Sequence, residues 1–279
     1  MDNILIKQLA ELAKACQQID VKPIICGGLG VYLSFCNKEN EINQMIRATQ
    51  DIDLMLSKKD LLEEAKRKAI AEMITDKLNY VVQPEKKHHG FKKVNSQELD
   101  ILVPPIEGLP LRGHRINIVK SILHGYVTEE AEFIDEDLRK IQLSDISEDC
   151  QENYGIKVYV PSATNLMIMK LFAFNERSKG KRKTPDRAMA HAWDVYIIIM
   201  LTDMSNLKTG QAFLSRHADS EIIQKARTIV KNSFSEYEKN GWQTILSSPN
   251  FYPTLRLADK EENLKKAASR IRRWFDVSE

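Results

Sequence analysis

Two stretches decide the fold that this sequence predicts: Ile25-Cys26-Gly27-Gly28 and, downstream, Arg47-Ala48-Thr49-Gln50-Asp51-Ile52-Asp53-Leu54. Apolar residues before Gly27 predict a short buried strand, and residues 29–35 predict a helix, so the two glycines form a tight turn between them. A junction of this kind offers free N–H groups and the positive end of a helix dipole to a phosphate. The glycine pair also fits a simple turn that binds nothing.

Asp51 and Asp53 form the second feature of these stretches. Residues 51–56 predict a strand, whose period of two places both aspartates on one face and the apolar residues toward a core. Neighbouring carboxylates repel each other unless a cation lies between them, and Mg²⁺ (or Mn²⁺) prefers such oxygen ligands together with substrate phosphates. The alternative is an ordinary Asp-x-Asp triplet on a turn or a solvated strand face.

Composition is that of a folded, soluble chain and selects no activity. The 279 residues, 43% of them hydrophobic, suffice for one large core or two domains, and a net charge of +2 gives no argument for nucleic-acid binding. Cys16, Cys26, Cys36 and Cys150 show no C-x-x-C pair and no zinc-ligand spacing with histidine, which predicts a reduced, cytoplasmic protein. We expect no membrane partner, because no apolar run approaches the roughly 18 residues that span a bilayer.

The order of the patterns predicts an α/β (α+β) fold with a domain boundary near residue 160. The first domain, 1–160, is a mixed sheet with flanking helices, and the second, 161–279, is helical. Helices are predicted at 3–19 and 58–77, and strands at 79–83, 89–94, 98–103, 115–119 and 157–160. The later helices are predicted at 163–175, 185–200, 219–240 (where Gly241 ends the pattern) and 259–275.

Three further charged residues stand in apolar surroundings. Asp100 lies between Leu99 and Ile101, so its side chain faces away from theirs; it is either a site residue or a solvated strand acid. Lys170 and Asp194 are isolated charges on two successive apolar helices, with a basic segment at 177–187 between them. The two residues either form a buried salt bridge that satisfies both charges or belong to a functional site.

Taken together, these residues resemble the nucleotidyltransferase superfamily, in which a first strand is followed by Gly-Gly or Gly-Ser and a second strand carries Asp-x-Asp. The form Arg47-x-Thr49-x-Asp51-Ile52-Asp53 is similar to that of the AbiEii/AbiGii toxin-type branch, which includes the MenT-like toxins. The resemblance covers about residues 20–200 in separate blocks. A polar insert at 37–44 makes the gap between glycines and aspartates longer than in the compact family pattern.

The resemblance implies transfer of NMP from an NTP to a hydroxyl, with release of pyrophosphate. The nucleotide contacts that it implies are Gly27, Gly28, Arg47, Thr49 and Lys170. The catalytic residues that it implies are Asp51 and Asp53 as metal ligands, Asp100 acting on the incoming hydroxyl, Lys170 on the triphosphate or pyrophosphate, and Asp194 orienting Lys170.

The acceptor implied by the resemblance is a tRNA end or a protein hydroxyl, and the protein would then be a bacterial toxin with a cognate antitoxin as partner. Two alternatives remain open at this stage. One is a small-molecule, antibiotic-modifying nucleotidyltransferase, and the other is a catalytically inactive nucleotide- or RNA-binding protein of the same fold.

Overall fold

The computed structural model describes residues 3–36, 45–47, 49, 51–86, 89–107, 114–120, 122–146, 155–179 and 183–278. The polar insert at 37–44, Cys150 and residues 180–182 of the basic segment lie outside these ranges. The chain forms two compact units. The first comprises Met1–Asn37 and Arg47–Ser162, and the second comprises Lys38–Ile46 and Ala163–Glu279.

A mixed sheet organises the first unit. Within the described residues its nine strands are β1 Ile24–Ile25, β2 Asp51–Met55, β3 Val81–Val82, β4 Gly90–Lys92, β5 Glu98–Val103, β6 Arg115–Val119, β7 Leu123–Val127, β8 Arg139–Gln142 and β9 Lys157–Val160. The main order across the sheet is β3-β4-β5-β2-β1-β9-β8, and β7 pairs with both β5 and β6. The central pair, β2 and β5, runs parallel over five matched positions from Asp51↔Glu98 to Met55↔Leu102.

Helices flank this sheet, as the mixed α/β prediction requires. They are α1 Asn3–Gln18, α2 Gly27–Phe35, α3 Lys58–Leu62 and α4 Glu64–Glu72, the last continuing into a π-helical turn, Met73–Lys77. Leu5, Leu9 and Leu12 of α1 are completely buried, which is the helical spacing of an apolar face. The helix packs this face toward β2 and β9.

The single helix predicted over residues 58–77 is wrong, because the chain breaks between α3 and α4. Glu63 adopts an extended conformation at the break. The side chain of Arg67 donates a 2.6 Å hydrogen bond to the carbonyl of Leu61, and Lys66 forms a 3.0 Å ion pair with buried Asp60. These bonds satisfy the carbonyl and the carboxylate near the end of the short helix α3. The sequence has no glycine or proline at the break, so no residue there predicts it.

The second unit is helical within its described residues. Its helices are α5 Ala163–Ser178, α6 Pro185–Leu201, α7 Met204–Arg216, α8 Glu221–Ser233, α9 Asn240–Leu246 and α10 Leu257–Phe275. An edge-to-face aromatic contact joins α6 and α9, in which the rings of Tyr196 and Trp242 lie 6.4 Å apart. The ring of Phe234, directly after α8, lies 4.9 Å from that of Trp242 in a second edge-to-face contact. None of the helices in the described ranges has the length and apolar character needed to cross a bilayer.

Gly241 does not end a helix, contrary to the sequence prediction. Helix α8 already ends at Ser233, and Gly241 is the second residue of α9. A Cβ atom on Gly241 would lie 2.5 Å from the carbonyl oxygen of Ser233, so the glycine permits a close approach of two backbone segments. The mixed fold with a helical C-terminal region is nevertheless confirmed.

Candidate active site

Asp51 and Asp53 occupy alternate positions of β2. Both side chains are partly exposed, whereas Ile52 and Leu54 are completely buried. The alternation follows from the period of two in a strand, because the apolar pair is drawn into the core of the first unit. The two carboxylates therefore share the face of the sheet that is directed away from these apolar residues.

The glycine pair lies directly against this strand. Gly27 has φ +64, a left-handed conformation, and a Cβ atom placed on it would lie 1.7 Å from Asp53 Oδ2. The amide of Cys26 donates a 2.9 Å hydrogen bond to the carbonyl of Asp53. Both glycines belong to the first turn of α2, rather than to a turn before the helix as predicted. Only a residue without a side chain allows the backbone to approach the Asp53 carboxylate so closely.

Arg47 and Thr49 lie beside Gly28. A Cβ atom on Gly28 would be 3.2 Å from Thr49 Oγ1 and 3.9 Å from a terminal nitrogen of Arg47. The hydroxyl of Thr49 donates a 2.5 Å hydrogen bond to Asp51 Oδ1, which orients that carboxylate. The start of α2, the Arg47 guanidinium and the β2 aspartates thus form one local cluster in the first unit.

The parallel register of β2 and β5 adds two more acids to the face. Asp51 is matched with Glu98, and Asp53 is matched with Asp100. Paired residues on neighbouring parallel strands project from the same side of a sheet, about 4.8 Å apart along the hydrogen-bonding direction. We call this set, Asp51, Asp53, Glu98 and Asp100, the carboxylate face.

A lysine that the sequence analysis did not identify binds two members of the carboxylate face. Lys86 Nζ lies 2.7 Å from Glu98 Oε2 and 2.8 and 2.9 Å from the two carboxylate oxygens of Asp100. The side-chain amide of Gln83 donates a further 3.1 Å hydrogen bond, from Nε2 to Glu98 Oε1. Asp100 therefore lies beside Asp53 on this face, with both of its oxygens hydrogen-bonded to an ammonium group, and its catalytic role stays a prediction.

Burial and mutual hydrogen bonds shift the pKa values of Asp100, Glu98 and Lys86. Burial raises the pKa of Asp100 above its usual value, although the hydrogen bonds from Lys86 act in the opposite direction. Hydrogen bonding to Lys86 lowers the pKa of Glu98. Burial lowers the pKa of Lys86, but its hydrogen bonds to Asp100 and Glu98 outweigh burial and the pKa is raised. Lys86 is therefore charged at neutral pH.

A metal ion at this face would depend on Asp51 and Asp53. Among the residues that the structure describes, no group of three or more His, Cys, Asp and Glu side chains is arranged to hold a metal ion. Mg²⁺, however, is commonly held by one or two carboxylates and completes its shell with water and substrate phosphates. Two hard oxygen donors beside a glycine with no Cβ fit that requirement.

Lys170 and Asp194 form a buried ion pair in the second unit. Lys170 Nζ on α5 lies 2.6 Å from Asp194 Oδ2 on α6, and the side chains are only 6% and 4% exposed. This is the salt bridge that the sequence left open as one interpretation. Such a pair is also compatible with the functional interpretation, which stays a prediction.

Sequence reasoning missed Lys86, Glu98 and Gln83. Glu98 precedes Asp100 by two residues on a predicted strand, so the same period of two would have placed both on one face. Lys86 lies in the short turn Pro84–Lys86, which carries no periodic signal.

No family model, curated protein or solved structure matches this chain.

Proposed function

We propose that the protein is a metal-dependent nucleotidyltransferase that moves an NMP group from an NTP to a hydroxyl acceptor and releases pyrophosphate. One contact carries this function: the backbone at Gly27 approaches the carboxylate of Asp53, which shares its face with Asp51. Phosphoryl chemistry needs both elements, because phosphates are bound by backbone N–H groups and by cations held on carboxylates.

Each residue of the cluster then has a defined task. The first turn of α2, with Gly27 and Gly28, receives the triphosphate, and the positive charge of Arg47 lies beside it. Thr49 holds the Asp51 carboxylate by its hydrogen bond. Asp51 and Asp53 would hold Mg²⁺, which supplies charge that offsets the negative oxygens of the phosphates.

The transfer exchanges a phosphoanhydride bond of the NTP for a phosphoester bond to the acceptor. The acceptor oxygen forms a bond to the α-phosphorus, the bond from the α-phosphorus to the bridging oxygen breaks, and pyrophosphate leaves with both electrons of that bond. The acceptor hydroxyl loses its proton to a base. Asp100 takes that role by the resemblance; each of its oxygens has a lone pair besides the one that accepts from Lys86, so the carboxylate can take up the proton.

The resemblance to toxin-type nucleotidyltransferases supplies the proposed acceptor, which is a tRNA end or a protein hydroxyl. It also supplies the proposed partner, a cognate antitoxin, and the proposed activity of Lys170 and Asp194. Growth arrest on expression, relieved by Asp53→Ala, would distinguish a toxin from an antibiotic-modifying enzyme.

Transfer itself is tested by incubating the protein with each labelled NTP, Mg²⁺ and total tRNA. Asp53→Ala and Lys170→Ala are the inactive variants, and Asp76→Asn, an exposed acid of the first unit, is the matched control. Label that enters RNA with the wild type and Asp76→Asn, but not with Asp53→Ala, supports the proposal. Label on the protein points to a protein acceptor. Nucleotide binding without label on any acceptor would contradict transfer and favour the inactive binding protein.

A further inference from the structure

Strands β4 and β7 share one edge of β5, while β2 pairs along the other edge. β4 pairs with β5 as far as Asp100, and β7 pairs with Leu102 and Val103. Between these pairings, the carbonyl of His89, directly before β4, accepts a 2.8 Å hydrogen bond from the amide of Ile101. β4 and β7 therefore meet end to end beside Ile101, one residue after Asp100.

Three aromatic rings lie together at this junction. The ring centroid of Tyr126, on β7, lies 5.5 Å from that of His89 and 6.2 Å from that of His114. His114 is exposed, and His89 and Tyr126 are partly exposed. The carbonyl of His114 accepts a 2.8 Å hydrogen bond from the amide of Val127. We call these three residues, His89, His114 and Tyr126, the aromatic group; strand pairing fixes its backbone, and solvent reaches its rings.

The aromatic group is next to Asp100 on the carboxylate face. Tyr126 is matched with Leu102, which follows Asp100 by two residues on β5 and so projects from the same side of the sheet. Two residues along a strand and one strand across it correspond to a separation of about 8 Å between the Cα atoms of Asp100 and Tyr126. The face thus carries, in order across β2, β5 and β7, Asp53, Asp100 and Tyr126.

The proposed reaction determines the side from which the acceptor arrives. In phosphoryl transfer the attacking and leaving oxygens lie roughly in line, on opposite sides of the phosphorus. The proposed function places the leaving pyrophosphate at the first turn of α2, which follows β1. In the sheet, β1 lies on one side of β2, and β5 with β7 lies on the other. The acceptor therefore approaches over Asp100 and the aromatic group.

We propose that the aromatic group is a stacking site for the base of the acceptor, which is then the terminal nucleotide of a nucleic-acid strand and not a protein hydroxyl. This inference rests on the proposed function, since it names the acceptor of that reaction. Unpaired bases stack on tyrosine and histidine rings, and every base has a face that can do so. A base held at Tyr126 brings the hydroxyl of its own sugar toward Asp100. A serine or threonine of a protein acceptor has no ring for these residues to bind.

The test compares two short fluorescein-labelled RNA strands that are identical except that the 3′-terminal nucleotide of one lacks its base. Binding is measured by fluorescence anisotropy, with no NTP and no metal ion. The wild type is expected to bind the intact strand about tenfold or more tightly than the abasic strand, because one stacked base contributes affinity of this order. The same pair of strands in DNA identifies the kind of acceptor, and a preference for the intact end in either pair supports the stacking site.

Variants of the rings locate the site. Tyr126→Leu and His114→Ala are expected to bind the intact strand as weakly as the abasic one, with wild-type affinity for the abasic strand. Tyr126→Phe keeps the ring and is expected to keep the preference. Tyr159→Leu is the matched control, because Tyr159 is also a partly exposed tyrosine on a strand of this sheet, β9, and its preference is expected to equal that of the wild type. Far-UV circular dichroism verifies that each variant is folded, and His114→Ala alters an exposed residue if Tyr126→Leu does not fold.

The outcomes distinguish this inference from the proposed function. Equal affinity of the wild type for intact and abasic strands, in RNA and in DNA, overturns the stacking site. A preference that survives in both Tyr126→Leu and His114→Ala also overturns it. Transfer of label from an NTP to a protein, with no preference for an intact base, overturns the stacking site and leaves nucleotidyl transfer standing. A base preference that depends on Tyr126, with no transfer to any acceptor, supports the stacking site and contradicts the proposed function.

Discussion

The buried pair of Lys170 and Asp194 allows a test that separates structural from functional roles. In the variant Lys170→Met, the methionine side chain fills most of the space of the apolar lysine stem. The Asp194 carboxylate, which is 4% exposed, loses an ammonium group 2.6 Å away. Removing one partner of a buried ion pair costs about 3–5 kcal/mol, because the remaining charge is uncompensated. Replacing both partners by apolar residues is often neutral or stabilising, so Lys170→Met/Asp194→Leu should regain most of the loss.

The magnitude can be read from urea denaturation. With a dependence on urea of about 2 kcal/mol per molar, a loss of about 4 kcal/mol lowers the midpoint by about 2 M. Tryptophan fluorescence is a suitable probe, since Trp193, Trp242 and Trp274 all belong to the second unit, as the ion pair does. The double variant is expected within about 0.5 M of the wild type.

The result that would refute this reasoning is a single variant whose midpoint falls by less than about 0.5 M. The double variant then decides the role of the pair. If it is as stable as the wild type and still transfers nucleotide, the pair is structural. If it is stable and inactive, the functional role implied by the toxin-type resemblance is supported.

Three further predictions have a defined sign. Gly27→Ala and Gly155→Ala, at φ +64 and +84, should both lose about 1–2 kcal/mol of stability from left-handed backbone strain. Only Gly27→Ala should also lose Mn²⁺ binding, because its Cβ meets Asp53, whereas the Cβ of Gly155→Ala meets no atom of the described residues within 4 Å. Equal Mn²⁺ binding by both variants would refute the contact between Gly27 and Asp53. Gly241→Ala should destabilise by about 1–3 kcal/mol in urea, although alanine favours a helix over glycine, because its Cβ would lie 2.5 Å from the Ser233 carbonyl oxygen. A stabilised Gly241→Ala would show that the two segments separate easily. Burial raises the pKa of the Cys16 thiol from 9.0 to about 12. The unfolded chain therefore releases the thiol proton at a lower pH than the folded chain does. As a result, the free energy of unfolding falls as pH rises from about 9 to about 12. At pH 10.5 the loss of unfolding free energy is about 2 kcal/mol. The urea midpoint of Cys16→Ala should therefore decline less over this pH range than that of the wild type. An equal decline in the wild type and Cys16→Ala would contradict the prediction.

Much of the fold follows from local patterns. The strands Glu98–Val103, Arg115–Val119 and Lys157–Val160 have the predicted bounds, because alternating apolar residues determine which side of a strand enters the core. The helix Pro185–Leu201 begins at its predicted proline. These features depend on neighbouring residues alone.

Other elements depend on partners that are distant in sequence. No strand was predicted for β8, Arg139–Gln142, which has little apolar character and is a strand because it pairs with β9. Strand β7, Leu123–Val127, was also missed; it contains Gly125, where a Cβ atom would lie 2.2 Å from the side chain of Val103. A glycine disfavours a strand in isolation, but here it allows β7 to pack closely beside β5.

The features of the candidate site also divide into those that follow from local sequence patterns and those that depend on distant partners. The sequence by itself placed Asp51 with Asp53 on one face and placed Asp100 opposite its apolar neighbours, since side-chain alternation is a property of each strand. Only the tertiary structure decided that Asp53 lies beside Asp100 and that Lys86 compensates Asp100, because strand order and register come from hydrogen bonds between segments far apart in the chain. The physical reason is that periodicity is local, whereas the pairing of strands and charges is a cooperative result of packing the whole unit.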